Sequence, residues 1–183
     1  MGARYRVIAN IMINISNTEQ DLYTAIRTWL LSLLPTTWEV IQGQGNLVPL
    51  PLNPCVVMTS AGFTRIVTNI DALDSTGLVN NIAAQFNYKI QLDFYGLGSS
   101  EYSAVVASML RDQDTPAQFP SYIQPLYGDD PMQIPLITGE DNYLERWKLS
   151  ACFQFNPVMQ NATQSANVVV NTGAIPVDIF YPA

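Results

Sequence analysis

Two segments of the chain place apolar side chains at helical spacing. A helix is predicted over residues 18–34, where Thr18 can cap the start and Pro35 prevents continuation. A second helix is predicted over residues 99–112, with Ser99 as its cap. Their apolar faces consist of Leu22, Ile26, Trp29, Leu30 and Leu33 in the first helix, and of Tyr102, Val105, Val106, Met109 and Leu110 in the second.

Strict alternation of apolar and polar residues predicts two strands, over residues 86–95 and 147–155, each with one buried and one wet face. A hairpin turn is predicted at Ala61-Gly62. Residues 68–80 are polar and predict a loop. Shorter strands are predicted over residues 38–41, 55–58, 63–67 and 174–181.

This order of a helix, several strands, a helix and further strands is typical of an α+β fold. We expect a mostly antiparallel β-sheet with the two main helices packed on one face. The chain contains no internal repeat, low-complexity tract or linker. Residues 1–183 are therefore predicted to form a single domain.

The composition favours a protein that works by contact with other chains. Charged residues make up 13% of the sequence, whereas soluble domains carry about 25%. Because the centres of interfaces are depleted in charge, we expect burial against other subunits; the alternative is a monomer with a surface of neutral polar residues. A net charge of −7 with only eight scattered basic residues argues against binding nucleic acid through its phosphates.

Candidate chemistry is sparse. The chain has no histidine, so the commonest general base and metal ligand are both missing. Cys55 and Cys152 are far apart, outside any C-x-x-C motif, and are predicted to be buried free thiols rather than zinc ligands. Gly43-x-Gly45 lacks the third glycine of a dinucleotide fingerprint and predicts a bulge or a turn. We therefore expect no enzyme, no cofactor and no metal site. No apolar run reaches the roughly 18 residues of a membrane span.

Residues 124–147 are the most distinctive stretch, with three prolines and five acidic residues among large apolar side chains. Paired carboxylates can bind a hard cation, but the ligand spacing of calcium loops is absent, which favours solvated turns. We interpret the stretch as an ordered, extended surface arm used for contact. The candidate subunit or partner contact residues are Gln42, Gln44, Asn46, Tyr127, Asp129, Asp130, Met132, Ile134, Glu140, Asp141 and Tyr143.

Three stretches between positions 38 and 157 carry a resemblance to a known family. The first is Gln42-Gly43-Gln44-Gly45-Asn46-Leu47-Val48-Pro49-Leu50-Pro51, followed by Cys55-Val56-Val57-Met58-Thr59. The second is Gln91-Leu92-Asp93-Phe94-Tyr95-Gly96 and the helix end Met109-Leu110-Arg111-Asp112. The third is Gln124-Pro125-Leu126-Tyr127 with Asp129-Asp130-Pro131, Glu140, Tyr143, Glu145-Arg146-Trp147 and Phe155-Asn156-Pro157. In order and spacing these stretches resemble the neck or tail-terminator proteins of tailed bacteriophages.

The resemblance implies a compact α+β fold and assembly into a hexameric ring in the virion neck, built in the cytoplasm of the bacterial host. Such a ring caps the tail tube and joins it to the head–tail connector, and DNA passes through the lumen without specific binding. No catalytic residue, cofactor or membrane contact belongs to this role. The alternatives are another head–tail connector or tail-tube-type virion protein and, as a third class, an enzyme of unknown type.

Overall fold

Two α-helices, one short 3₁₀ helix and twelve strands make up the described part of the chain. The structure is a computed structural model that describes residues 13–43, 51–75, 79–134, 136–137 and 143–162, with the backbone alone at 136–137 and 143–144. The helices are α1 (Glu19–Leu33), α2 (Ser99–Met109) and the 3₁₀ helix (Thr115–Gln118). The strands are β1 (Asn14–Ser16), β2 (Glu39–Gln42), β3 (Cys55–Arg65), β4 (Ile70–Leu73), β5 (Val79–Ala83), β6 (Phe86–Tyr95), β7 (Ile123–Gly128), β8 (Met132–Gln133), β9 (Leu136–Ile137), β10 (Tyr143–Leu144), β11 (Arg146–Phe155) and β12 (Val158–Ala162).

Helix α1 forms where the pattern predicted it, because its N-cap residue and its apolar face mark the same segment of the chain as helical. The Thr18 backbone N–H donates to Asp21 Oδ2 at 2.7 Å, and the Asp21 N–H donates to Thr18 Oγ1 at 3.4 Å. This reciprocal pair satisfies two free N–H groups of the first turn. The hydrogen bond from the Thr18 backbone N–H, and then the one that the Thr18 hydroxyl donates to the Asp21 carboxylate, lower the pKa of Asp21 below its usual value. Leu22, Ile26 and Leu30 are fully buried.

Helix α2 differs from the prediction at both ends. Gly98, not Ser99, occupies the N-cap, in the left-handed region with φ of 87°, and no side chain caps the first turn. Ser99 lies inside the helix and is fully buried. The helix ends at Met109, since Arg111 N–H donates to the Ser108 carbonyl and the last turn tightens to i to i+3 bonds. The predicted cap was therefore wrong by one residue, because a glycine can make the sharp turn that a serine cannot.

The larger sheet has six strands in the order β2-β3-β6-β11-β7, and β8 pairs with the same edge of β11 as β7. Only β2 and β3 are parallel. Strands β6 and β11 pair without interruption from Phe86 opposite Phe155 to Tyr95 opposite Arg146. The two alternating strands were thus predicted correctly, and they form the centre of the sheet.

Both helices pack on the same face of this sheet, as predicted. The buried side chains of that face belong to one cluster with those of α1 and α2. Aromatic rings link the layers: the centroid of Trp29 in α1 lies 5.5 Å from Phe119, which lies 5.8 Å from Phe153 in β11. The Trp38 ring lies 5.0 Å from Tyr102 in α2. These contacts produce the α+β architecture.

Strand β3 continues through the predicted hairpin turn, so that prediction was wrong. Ser60 lies opposite Ile90 and Phe63 lies opposite Tyr88, so β3 contains one extra residue at this point. Gly62 has φ of 104°. A glycine in the left-handed region suits a β-bulge as well as a turn. Strand β6 pairs with β3 on both sides of this point, so the extra residue forms a β-bulge and not a hairpin turn.

A second sheet of four antiparallel strands, in the order β1-β12-β5-β4, lies in part where a loop was predicted. Strand β4 and the start of β5 fall within residues 68–80, so the loop prediction was wrong. All four residues of β4 are exposed and those of β5 are half-buried. A strand without a buried face shows no clear alternation, and its composition therefore resembles a loop. The strand predicted over residues 174–181 lies outside the described residues.

Candidate contact surface

The distinctive stretch from Gln124 to Trp147 is, where it is described, attached to the edge of the larger sheet. Strand β7 pairs with β11 from Ala151 opposite Gly128 to Phe155 opposite Ile123, with a bulge between Cys152 and Phe153. Strand β8 pairs next to it, and β9 pairs with β10. The extended backbone that the prolines predicted is therefore held in short strands.

Four of the predicted contact residues lie together in one groove. Asp129, Asp130, Met132 and Ile134 line a groove of about 300 Å³ with Lys89, Lys148 and Ser150. Met132 points a large apolar side chain outward and is 65% exposed. We call this set of residues, together with Tyr127, the β7–β8 surface.

Cations from other elements accompany the two carboxylates of this surface. Lys89 Nζ in β6 lies 3.7 Å from Asp129 Oδ2. Arg111, just after α2, donates from Nη2 to Asp130 Oδ1 at 2.8 Å and to the Gly128 carbonyl at 2.9 Å. Because both ion pairs are exposed, each stabilises the fold by only about 0–1 kcal/mol. The charges therefore remain available to a partner.

Tyr127 lies in an adjoining groove of about 260 Å³, which shares Lys89 with the first. The residue is 48% exposed. A hydrogen bond with the Cys152 thiol raises the pKa of Tyr127, and the nearby charge of Asp129 adds to this effect. Phe63, which lines the same groove, is 62% exposed and stacks on Tyr88 at 5.5 Å. Two exposed aromatic residues, Tyr127 and Phe63, beside paired charges are typical of a contact surface.

The remaining predicted contact residues do not join this surface in the described part of the chain. Gln42 is exposed at the end of β2, on the opposite edge of the larger sheet, where it lines a groove with Arg27 of α1. The backbone of Tyr143 pairs with Ile137. Gln44, Asn46, Glu140 and Asp141 lie outside the described residues. Gly43, the first glycine of the candidate fingerprint, lies in a turn and donates its N–H to the Met58 carbonyl at 2.7 Å.

A buried ion pair lies on the polar face of β6, where the alternating pattern predicted only exposed side chains. Asp93 is only 4% exposed, although that face was predicted to be wet. Its Oδ1 accepts from Arg146 Nε at 3.2 Å and Nη2 at 3.0 Å, and its Oδ2 accepts from Gln91 Nε2 at 2.7 Å. The prediction holds for Lys89, which is exposed. The only signal in the sequence was the opposite charge at positions 93 and 146, which gains meaning from the pairing of β6 with β11.

Reactive side chains are few among the described residues. Cys55 and Cys152 are buried free thiols, as predicted. Burial, and then the charge of Glu39, raises the pKa of Cys55 to about 11, so this thiol is protonated and unreactive at neutral pH. Among the described residues, no group of three or more His, Cys, Asp or Glu side chains is placed to bind a metal ion. No helix in this part of the chain is long and apolar enough to cross a membrane.

The fold is α+β, its exposed surface mixes polar and apolar side chains, and its thiols are buried. These features favour a protein that works by contact with other proteins. The chain matches the sequence model described as phage neck terminator protein over residues 20–180. It belongs to the phage neck terminator family. The match covers α2, all of α1 except its first residue and the whole of the larger sheet, so the resemblance carried by the three stretches is confirmed. A comparison with curated protein sequences gave no match. A neck terminator is a structural protein of the phage neck.

Proposed function

We propose that this neck terminator forms a ring that caps the tail tube and joins it to the head–tail connector, with DNA passing through the lumen. The family match over residues 20–180 is the observation that carries this proposal. The charge balance supports it, since a chain with net charge −7 does not retain DNA through its phosphates. We expect a homohexamer in the virion neck, assembled in the host cytoplasm and without catalytic activity.

The β7–β8 surface is the part of the subunit that we assign to contact with a neighbouring neck or tail protein. Met132 and Tyr127 supply exposed apolar area. Asp129 and Asp130 supply charges that a partner's basic side chains can recognise, which sets the orientation of binding more than its strength. Further candidates for contacts of the same kind are Gln42, Gln44, Asn46, Glu140, Asp141 and Tyr143.

The function is tested by removing the protein from the phage. A nonsense mutation in its gene, in a host without a suppressor, should give filled heads and tails that are not joined. Supplying the wild-type chain from a plasmid should restore joined particles in electron micrographs. Normal, infectious particles that lack the chain would contradict the proposal. Density for the chain within the tube or the connector of a virion reconstruction would assign it to another layer.

The contact surface is tested in the same complementation assay. The double variant Asp129→Ser and Asp130→Ser should fold normally but reduce the yield of joined particles, because both carboxylates are exposed. The matched control is Glu101→Ser with Asp114→Ser, which removes two exposed acids from elsewhere on the subunit. Equal yields for the two double variants would show that this surface makes no contact needed for joining.

A further inference from the structure

The four-stranded sheet has two outer edges of a kind that proteins normally protect. Among the described residues, neither β1 at one edge nor β4 at the other has a strand on its outer side. Ile15 of β1 is 52% exposed, and Ile70 and Leu73 of β4 are 56% and 63% exposed. Neither strand contains a lysine or a proline, the residues that most often block edge pairing, and the one charged residue in these two strands is Asp71 of β4. Both edges are therefore suited to receive another strand.

The hydrogen-bonding groups at the β4 edge can be located from the structure. The Asp74 N–H donates inward to the Val79 carbonyl at 2.9 Å. Because successive residues of an antiparallel strand point their N–H and C=O groups to opposite sides, Ala72 also points inward to β5. Asp71 and Leu73 therefore present their N–H and C=O groups at the outer edge.

The groups at the β1 edge follow from the same alternation along β12. The Ala84 N–H donates to the Pro157 carbonyl at 3.1 Å, which fixes the residues of β12 that point to β5. The alternate residues of β12 then point to Ser16 and Asn14 of β1. Ile15, between them, presents its N–H and C=O groups at the outer edge. The two edges are thus unlike in sequence but complementary in donors and acceptors.

The direction of the strands suits a head-to-tail arrangement of identical subunits. The four strands alternate in direction, so β1 runs antiparallel to β4. A second copy that keeps the same strand direction would bring its β1 beside β4 of the first in antiparallel pairing. A contact between two different patches of the same subunit closes into a ring when the rotation between copies allows it.

We propose that β1 of one copy pairs with β4 of the next, so that the four-stranded sheet continues from subunit to subunit. The proposal rests on the proposed ring and names the contact that holds it together. The occupant of each edge is a second copy of this chain, because each copy supplies both complementary edges. The β7–β8 surface, which is formed by strands of the other sheet, then stays available to a neighbouring neck or tail protein.

Two proline variants test the pairing one edge at a time. Ile15→Pro and Asp71→Pro each remove an outward N–H while leaving the inward ladder bonds intact. Asp71→Asn is the matched control, since it removes the charge but keeps the backbone donor. Circular dichroism and thermal melting establish that each variant folds.

Mass photometry and light scattering measure the assembly. We expect the wild type and Asp71→Asn to form rings of several times the 20.3 kDa chain mass, and each proline variant alone to be monomeric. An equimolar mixture of the two proline variants should give particles of twice the chain mass. Each variant keeps one intact edge, so one junction can form and the chain of contacts stops there.

Other outcomes overturn the proposal in distinguishable ways. Rings of wild-type mass from both proline variants would refute the edge contact while leaving the ring intact. A mixture that stays monomeric would refute head-to-tail pairing. A monomeric wild type would refute both the ring and the edge contact. If a proline variant does not fold, hydrogen exchange of the wild-type ring decides: fast exchange at Ile15, Asp71 and Leu73 in the assembled state would refute the pairing.

Discussion

The buried ion pair between Asp93 and Arg146 supports the sharpest prediction on stability. It joins the two central strands, since Asp93 lies in β6 and Arg146 begins β11. The carboxylate side chain is 5% exposed and the guanidinium side chain 22% exposed. The two charges therefore differ in their access to water, and the cost of losing one partner depends on which partner is lost.

Removing the cation leaves the less accessible charge without compensation. Arg146→Met keeps most of the length of the side chain but leaves Asp93, among the described side chains, with the hydrogen bond from Gln91 alone. Breaking a buried pair in this way costs about 3–5 kcal/mol of the free energy of unfolding. Asp93→Asn should cost less, about 1–2 kcal/mol, because Arg146 can still be hydrated and the introduced amide oxygen can still accept a hydrogen bond.

Urea denaturation of the wild type, the two single variants and the double variant measures these differences. The coupling free energy from this cycle should be on the order of 2–3 kcal/mol. A circular dichroism spectrum in the absence of urea checks that each variant keeps the fold. If both single variants lose less than about 0.5 kcal/mol, the pair behaves as a surface ion pair, and its burial does not strengthen it.

Three further predictions concern the termini of the helices and one buried phenol. Burial, and then the hydrogen bond to the Glu19 carboxylate, raises the pKa of Tyr88 to about 12. The contribution of the neutral Tyr88 phenol to stability is therefore complete below pH 10 and is lost as the pH rises towards 12. Tyr88→Phe should reduce this alkaline loss by about 2 kcal/mol in pH-dependent urea melts, and an unchanged loss would contradict it. Gly98→Ala should destabilise the fold by about 1 kcal/mol because Gly98 has a left-handed backbone conformation, whereas Ser99→Ala should change stability by less than about 0.5 kcal/mol. A larger loss from Ser99→Ala than from Gly98→Ala would identify Ser99 as the cap. Thr18→Ala should cost about 1 kcal/mol in thermal melts through loss of the reciprocal cap with Asp21, and no loss would show that the cap is not needed.

The elements that were predicted correctly are those in which several local signals agree. Helix α1 combines a cap, acidic residues in its first turn and a regular apolar face, and its 15 residues give the pattern room to repeat. Strands β6 and β11 each alternate over ten residues. The α+β class follows from these elements, and the resemblance to the family follows from the order and spacing of the three distinctive stretches.

The incorrect predictions share one cause, which is that local signals are compatible with two structures. Gly62 allows a turn or a bulge, and the uninterrupted course of β6 selects the bulge. Strand β4 has no buried face, so its pairing with β5 defines it rather than its own pattern. In the β7–β8 surface, Asp129 and Asp130 were proposed as contact residues from the sequence, whereas their ion pairs with Lys89 of β6 and with Arg111 after α2 depend on the tertiary structure.

By itself, the sequence determined the long periodic elements, the fold class, the family and the absence of histidine chemistry. Only the tertiary structure decided which polar residues are buried, which charges are paired and which strand edges lack a partner in the described part of the chain. Side-chain periodicity is a property of neighbouring residues, whereas the burial of Asp93 beside Arg146 depends on a pairing between residues 53 positions apart. Such contacts are set by the register between strands, and a single strand does not carry that information.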